Sequence, residues 1–303
     1  MAVVATGFFD GVHLGHRLVI RQLVDVARAG GDESVVVTFW PHPRTVLQDG
    51  ARSLRLLNSL DEKKALLKGL GVDRVEVLRF TREFAGMDTE TYLRDVIAGQ
   101  FGGKAVLLGY DNRIGSDQLT PEETGKIAEK LGLKVIHAGR VDGPASYDGP
   151  VVSSTVIRNL LAEGNVDQAA ALLGYDYSLH GVVVAGNRYG RRIGFPTANM
   201  QLYEPLKLVP ANGVYLVAVE TLDRKLYGMC NIGVRPTVGS GNSKTIETNI
   251  FDFDEDIYGL DIRISFIRKL RDEILFPDLE SLGRQLKIDR DMSLAILGEK
   301  VRG

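Results

Sequence analysis

The chain has one cysteine, Cys230, in 303 residues. That excludes an internal disulfide and a four-cysteine zinc site, and leaves Cys230 as a small residue for the core. No apolar run approaches the roughly 18 residues that a membrane-spanning helix needs. The apolar strand pattern starts within the first residues, so no cleavable signal is visible and a cytoplasmic protein is expected. The formal net charge is −2, which predicts no general attraction to nucleic acid or membranes. The fingerprint Gly-x-Gly-x-x-Gly of dinucleotide-binding oxidoreductases is missing, as are internal repeats and low-complexity tracts. Two near-motifs fail as well. Gly241–Thr245 has Ser243 where a P-loop needs its second glycine, and Asp252–Asp256 is followed by Ile257 and Arg263 where a calcium loop needs glycine and glutamate.

What is present divides into two rhythms. A hydrophobic content of 44% with 25% charged residues is that of an ordinary globular protein, long enough for two domains. Up to about Tyr175, short apolar runs alternate with helical patterns. Strands are expected at Val3–Thr6, Ser34–Phe39, Arg74–Leu78, Ala105–Leu108 and Lys134–His137. Helices are expected at Gly15–Ala29, Asp61–Gly69, Thr89–Ala98 and Pro121–Leu131, then to about Ala162 and over Val166–Leu173. Nearly continuous apolar strands such as Val35-Val36-Val37 suit a parallel sheet covered on both faces. From about Leu179 short strands follow one another with turns between: His180–Ala185, Gly213–Glu220, Lys225–Ile232, Lys244–Phe251 and Tyr258–Ile267. This predicts a small antiparallel barrel, closed off by an amphipathic helix over about Asp278–Leu297.

Chemistry gathers at the expected strand ends. After the first strand comes Gly7-Phe8-Phe9-Asp10-Gly11-Val12-His13-Leu14-Gly15-His16. Two histidines three apart at a helix start share one face, beside free N–H groups suited to a phosphate chain. Polar turns also follow the second strand (Trp40–Arg44) and the fourth (Gly109–Gly115), where a parallel sheet binds its ligands. Ser153, Ser154 and Thr155 open a later helix with Arg158 one turn on, a combination able to cap the helix and hold phosphates. In the second half, Gly186–Asn199 is glycine-rich and basic. Thr197 and Asn199 flank Ala198, so an extended backbone puts both on one face as hard oxygen donors for Mg²⁺. Glu247 in a neighbouring strand is a candidate base for a hydroxyl nucleophile.

Taken in this order, the motifs resemble the bacterial bifunctional riboflavin kinase/FAD synthetase family over nearly the whole chain. The resemblance rests on Gly7–His16, Thr38–Arg44, Ser153–Arg158, Arg191–Asn199, Asn231–Thr237, Glu247 with Asp256–Gly259, and Arg271–Phe276. It implies a Rossmann-like nucleotidyltransferase domain over residues 1–176, joining FMN to the adenylyl group of ATP. There His13, His16 and Arg158 stabilise developing charge. Gly7, Phe8, Asp10, Gly15, Ser153, Ser154 and Thr155 bind ATP, and His42, Pro43, Arg44, Asp111 and Asn112 border the flavin. Residues 177–303 are implied to form the riboflavin kinase barrel. Its phosphate site is Gly186, Gly190, Arg191, Gly194, Pro196 and Thr197; Thr197 and Asn199 hold Mg²⁺, Glu247 is the base, and Arg271 and Phe276 border the flavin. Riboflavin, FMN, FAD and ATP are then substrates or products. The partners expected are these small molecules, without nucleic acid or membrane; a homo-oligomer or a domain movement would be needed to pass FMN between sites. Asn112 and Ile114 stand where the family often has aromatics, Phe8 where asparagine is frequent, and Asn249 where histidine is common. The alternatives are a kinase with a weakly active first domain, and a flavin-binding regulator without turnover. The regulator would more often carry a helix-turn-helix, which the sequence lacks.

Overall fold

The computed structural model describes residues 1–47, 54–109, 113–139, 151–186, 189–237 and 241–302. The chain divides into two compact units, residues 1–154 and 155–303. In the first, β1 (Ala2–Thr6), β2 (Glu33–Trp40), β3 (Arg74–Arg79), β4 (Gly103–Leu108) and β5 (Lys134–His137) form a parallel sheet in the order β3-β2-β1-β4-β5. The helices are α1 (Leu14–Gly30), α2 (Pro43–Leu47), α3 (Leu60–Gly69), α4 (Arg82–Ala85), α5 (Thr89–Thr91) and α6 (Pro121–Lys130). Alternating strand residues supply two cores: Val4, Val37 and Val106 join one, and Val3, Val36 and Ala105 the other. That is the two-sided burial which the unbroken apolar runs predict.

Local signals fix the helices. In α1, Ile20, Leu23, Val24 and Ala27 are buried on one stripe, and Gly31 ends the helix at φ 64°. Capping boxes at Ser59/Glu62 and Thr120/Glu123 start α3 and α6. The stretch expected as one helix from Thr89 is instead the single turn α5 passing into a π-helix, Tyr92–Gln100.

Helix α7 (Ser154–Glu163) starts on the last residue of the first unit, and α8 (Val166–Leu173), stopped by Gly174 at φ 77°, follows in the second. Then come β6 (Ser178–Val184), α9 (Tyr189–Arg192), β7 (Ala198–Leu202), β8 (Gly213–Thr221), β9 (Arg224–Thr237), β10 (Gly241–Ile250), β11 (Asp261–Arg271) and α10 (Leu279–Arg302). The six strands close into a barrel in the order β10-β7-β6-β11-β8-β9. The last strand begins at Asp261 rather than Tyr258, because Gly259 at φ 77° turns the chain first. Tyr215, Val217, Cys230, Ile232 and Phe266 are buried. Val214, Leu216, Met229 and Ile267 form a second cluster against Leu286 and Ile296 of α10.

Candidate functional site

In the first unit the candidate site lies at the carboxyl end of β1. The sheet order changes direction there, with β2 on one side and β4 on the other, the place where open parallel sheets bind ligands. Gly7 N–H extends the β1–β2 ladder by donating to Val37 O at 3.0 Å. The chain then turns through left-handed residues, Phe9 at φ 54°, Gly11 at 85° and Val12 at 37°. For Phe9 and Val12 this backbone is costly and needs outside support.

Support comes from several directions. The half-buried Phe8 offers its carbonyl to Thr38 Oγ1 at 3.1 Å and Lys63 Nζ at 2.9 Å. The buried Asp10 carboxylate accepts Leu57 N–H at 3.1 Å and Asn58 N–H at 3.2 Å. Asp10 O accepts the Ser154 hydroxyl at 2.8 Å, tying the turn to a residue 144 positions along the sequence. The Asp10 side chain therefore braces the turn.

His13 caps α1. Its Nδ1 accepts the backbone N–H of His16 at 3.4 Å, and the two rings stack at 3.7 Å. A neutral His13 thus carries its proton on Nε2. A side chain on Gly15 would meet the His13 ring at 3.1 Å, so glycine makes room for the stack. His16 Nδ1 is buried with no hydrogen-bond partner among the described residues. Burial first, then the His13 and Lys63 charges, hold the His16 imidazole well below its ordinary value of 6.5, so it is neutral at pH 7. His42 packs edge-on against Phe8 at 4.1 Å, and its Nδ1 receives Arg44 N–H at 3.0 Å as α2 begins at Pro43. Arg44 is exposed. Asp111 and Asn112 lie outside the described residues. Ile114 is a core residue packed with Tyr92 and Leu108.

In the second unit, strand register brings distant residues into one row. Asn199 of β7 pairs with Glu247 of β10, Glu247 with Asn231 of β9, Asn231 with Val214 of β8, and Val214 with Arg271 of β11. Laterally paired residues share a sheet face. Glu247, Asn231, Val214 and Arg271 line a cavity of about 270 Å³, with Phe276 and with Leu282 and Leu286 of α10. A second cavity of about 420 Å³ is lined by Arg191, Pro196, Thr197, Asp256 and Tyr258. Thr197 belongs to the walls of both. Gly190 lets the loop fold tightly, since a side chain there would lie 2.1 Å from Phe195 O, and Gly194 turns it at φ 80°. Asn249 donates Nδ2–H to Pro196 O at 2.7 Å and so fastens the Pro-Thr-Ala-Asn segment to β10.

The oxygen donors of Thr197 and Asn199 fit a hard divalent cation. The Asn199 amide lies over Gly186, where a Cβ would come within 2.1 Å of it. Among the described residues no group of three or more His, Cys, Asp or Glu side chains could hold a metal ion. A Mg²⁺ ion carried largely by nucleotide phosphates needs no such cage.

Sequence comparison decides the relationship. Residues 1–156 match the FAD synthetase profile and residues 173–297 the riboflavin kinase profile. The "Bifunctional riboflavin kinase/FMN adenylyltransferase" of Listeria monocytogenes is 34% identical over 299 residues, 98% of this chain and 93% of that protein. The Bacillus subtilis protein of the same name is 33% identical over 297 residues, 97% of this chain and 92% of that protein. The chain belongs to the bifunctional riboflavin kinase/FMN adenylyltransferase family. A solved structure from Streptococcus pneumoniae, described as a macrolide-efflux protein, superposes with TM-score 0.89 at 33% identity, covering 96% of this chain and 93% of that one. That likeness is one of fold. Among the described residues here, no helix is long and apolar enough to cross a membrane.

Against the family pattern, the structure adds two residues that sequence reading missed. Lys63 is 1% exposed, and its ammonium lies 3.7 Å from the Phe8 ring centre. Burial lowers its pKa to about 8, opposed by the Asp10 charge. Its sequence context, Asp61-Glu62-Lys63-Lys64, reads as a solvated helix face, so only the tertiary structure distinguishes it. Asp289 of α10 is fully buried and grips Arg271, with Nε at 3.0 Å from Oδ1 and Nη2 at 2.8 Å from Oδ2. The Arg271 guanidinium is thereby committed to α10, and lies 5.8 Å from the Phe276 ring centre. It shapes the cavity wall.

Proposed function

We propose that this family member makes FMN and then FAD, phosphorylating riboflavin in the barrel and adenylylating FMN at the parallel sheet. The observation that carries the kinase half is the pair of cavities meeting at Thr197. ATP belongs in the cavity with Arg191, and riboflavin in the one with Phe276. The ribityl hydroxyl then faces Glu247, which takes its proton as the oxygen attacks the γ-phosphorus and ADP leaves. In-line phosphoryl transfer needs alignment and charge neutralisation more than a strong base. Thr197 and Asn199 would hold Mg²⁺, whose charge offsets that of the phosphates.

For the adenylyl half, the FMN phosphate oxygen attacks the α-phosphorus of ATP. A P–O bond forms, the α–β linkage breaks, and pyrophosphate leaves. No side-chain nucleophile is needed. His13, His16, the start of α1, Ser154 and Arg158 would stabilise the growing negative charge. His42, Pro43 and Arg44 would border the flavin. The functional modules are residues 1–176 and 177–303; profile matches ending at 156 and resuming at 173 support a join between them. The net charge of −2 and the small-molecule substrates support a cytoplasmic enzyme without nucleic-acid or membrane partners.

The test is a chromatographic time course with riboflavin, ATP and Mg²⁺. FMN should rise first, followed by FAD with pyrophosphate, and chelation of Mg²⁺ should stop both. FMN that accumulates without FAD, even when FMN is supplied, would overturn the adenylyl assignment. Flavin binding with no turnover would point to the regulator.

A further inference from the structure

Strand β10 presents two polar residues to one cavity. Glu247 and Asn249 alternate around Thr248, so both lie on the same face of the strand, and both line the cavity of about 270 Å³. Asn249 is 7% exposed, and among the described residues its side chain makes one hydrogen bond, the Nδ2–H donated to Pro196 O at 2.7 Å. A leucine has nearly the same shape and would fill this place without desolvating an amide. The amide is therefore there for the bond to Pro196.

That bond falls where backbone pairing ends. The register of β10 with β7 runs through Glu247–Asn199 and Thr248–Ala198 and stops there. Pro196 lies two residues before β7 begins at Ala198, and proline has no N–H with which to extend a ladder. The Asn249 side chain takes hold of Pro196 O beyond the last backbone pair. Before it, Phe195 is buried in the cluster against α10 and donates its N–H to Gly190 O at 2.8 Å. Thr197 is thus held on both sides, by Asn249 through Pro196 and by Thr248 through Ala198. It is also the residue that walls both cavities. One strand therefore carries the base Glu247 and, two residues on, the grip on the carbonyl next to Thr197. The spacing between proton acceptor and phosphate site is set within a single rigid element.

We propose that Asn249 is a positioning residue for riboflavin phosphorylation, its amide holding Pro196 so that Thr197 keeps a fixed place relative to Glu247. It acts through Thr197 and not on the reacting atoms. In-line transfer depends on alignment, and a misplacement of about 1 Å can cost about 10²-fold in rate. The inference rests on the kinase reading of the second unit.

The test compares the full-length wild type with Asn249→Leu, which keeps the shape and removes the donor. Riboflavin kinase kcat should fall about 10²-fold, with the riboflavin KM unchanged and adenylylation of supplied FMN unaltered. A second readout needs no turnover. Hydrogen exchange over residues 195–202, followed by mass spectrometry without nucleotide or metal, should be faster in Asn249→Leu. Should that variant not keep a folded kinase unit, Asn249→Ser is read in the same way, because its side chain is too short to reach Pro196 O. A wild-type kcat with a raised riboflavin KM would make Asn249 a wall of the flavin cavity and overturn the proposal. Exchange over 195–202 equal to that of wild type would also overturn it. Wild type that forms no FMN from riboflavin and ATP would instead refute the kinase reading.

Discussion

Asp289→Ala should damage the kinase unit in two measurable ways. The carboxylate is fully buried, and the Arg271 side chain it binds is 16% exposed. Three N–H to carboxylate oxygen contacts of 3.0, 3.1 and 2.8 Å are lost, with that of Gln285 at 2.9 Å. Removing one partner of a fully buried ion pair costs about 3–5 kcal/mol, chiefly for the charge left unpaired. Arg271 keeps some exposure and its bond to Asp272 O at 3.0 Å, so the lower end applies, about 3 kcal/mol. For a unit of this size, each kcal/mol moves the melting temperature by about 2–4 °C, giving a fall of roughly 6–12 °C. Calorimetry measures it. Because Arg271 and Phe276 wall the cavity proposed for riboflavin, the riboflavin KM should also rise about tenfold, equivalent to 1.4 kcal/mol. Adenylylation of supplied FMN should be unchanged. A melting temperature within about 1 °C of wild type, together with an unaltered KM, would refute the reasoning.

Glu247→Gln should lower riboflavin kinase kcat by about 10²–10⁴, the usual range for losing a general base, with little change in ATP KM; an ATP KM that rises in step with the loss would point to a structural role. His16→Ala should cut adenylylation by about 10²–10³, as for loss of one preorganised charge-stabilising donor, while the coupled assay still shows normal FMN formation. Stability of the first unit should rise with pH between about 8 and 10.5, because there the unfolded chain still binds the proton that folded Lys63 has released. Over that interval the gain is about 3 kcal/mol, read as the difference in urea midpoint between wild type and Lys63→Met. A difference that stays constant across the interval would contradict it.

The sequence made the fold legible where pattern and burial coincide. The run Val35-Val36-Val37 predicted a sheet covered on both sides because successive residues enter opposite cores. Strand β7 was absent from the expected strands although Ala-Asn-Met-Gln-Leu alternates apolar and polar residues, because it is only five residues long and has no β-branched side chain. Residues such as His13, Ser154 and Thr197 were visible because their motifs are local. Lys63 and Asp289 were not, since their partners Phe8 and Arg271 lie 55 and 18 residues away. The Asn249 position shows the same limit. The sequence shows an amide where histidine is common, and only the structure shows that amide fastening Pro196.

The row Asn199, Glu247, Asn231, Val214 and Arg271 runs through five strands of a closed barrel. Side chains alternate faces along a strand, so a one-residue slip would swing any member to the opposite side. The barrel should therefore accept many point substitutions in these strands, but no single-residue insertion or deletion within them. Length variation is confined to connections such as Thr221–Arg224 between β8 and β9, and drift in this gene should follow that boundary: letters change in the strands, lengths change in the turns.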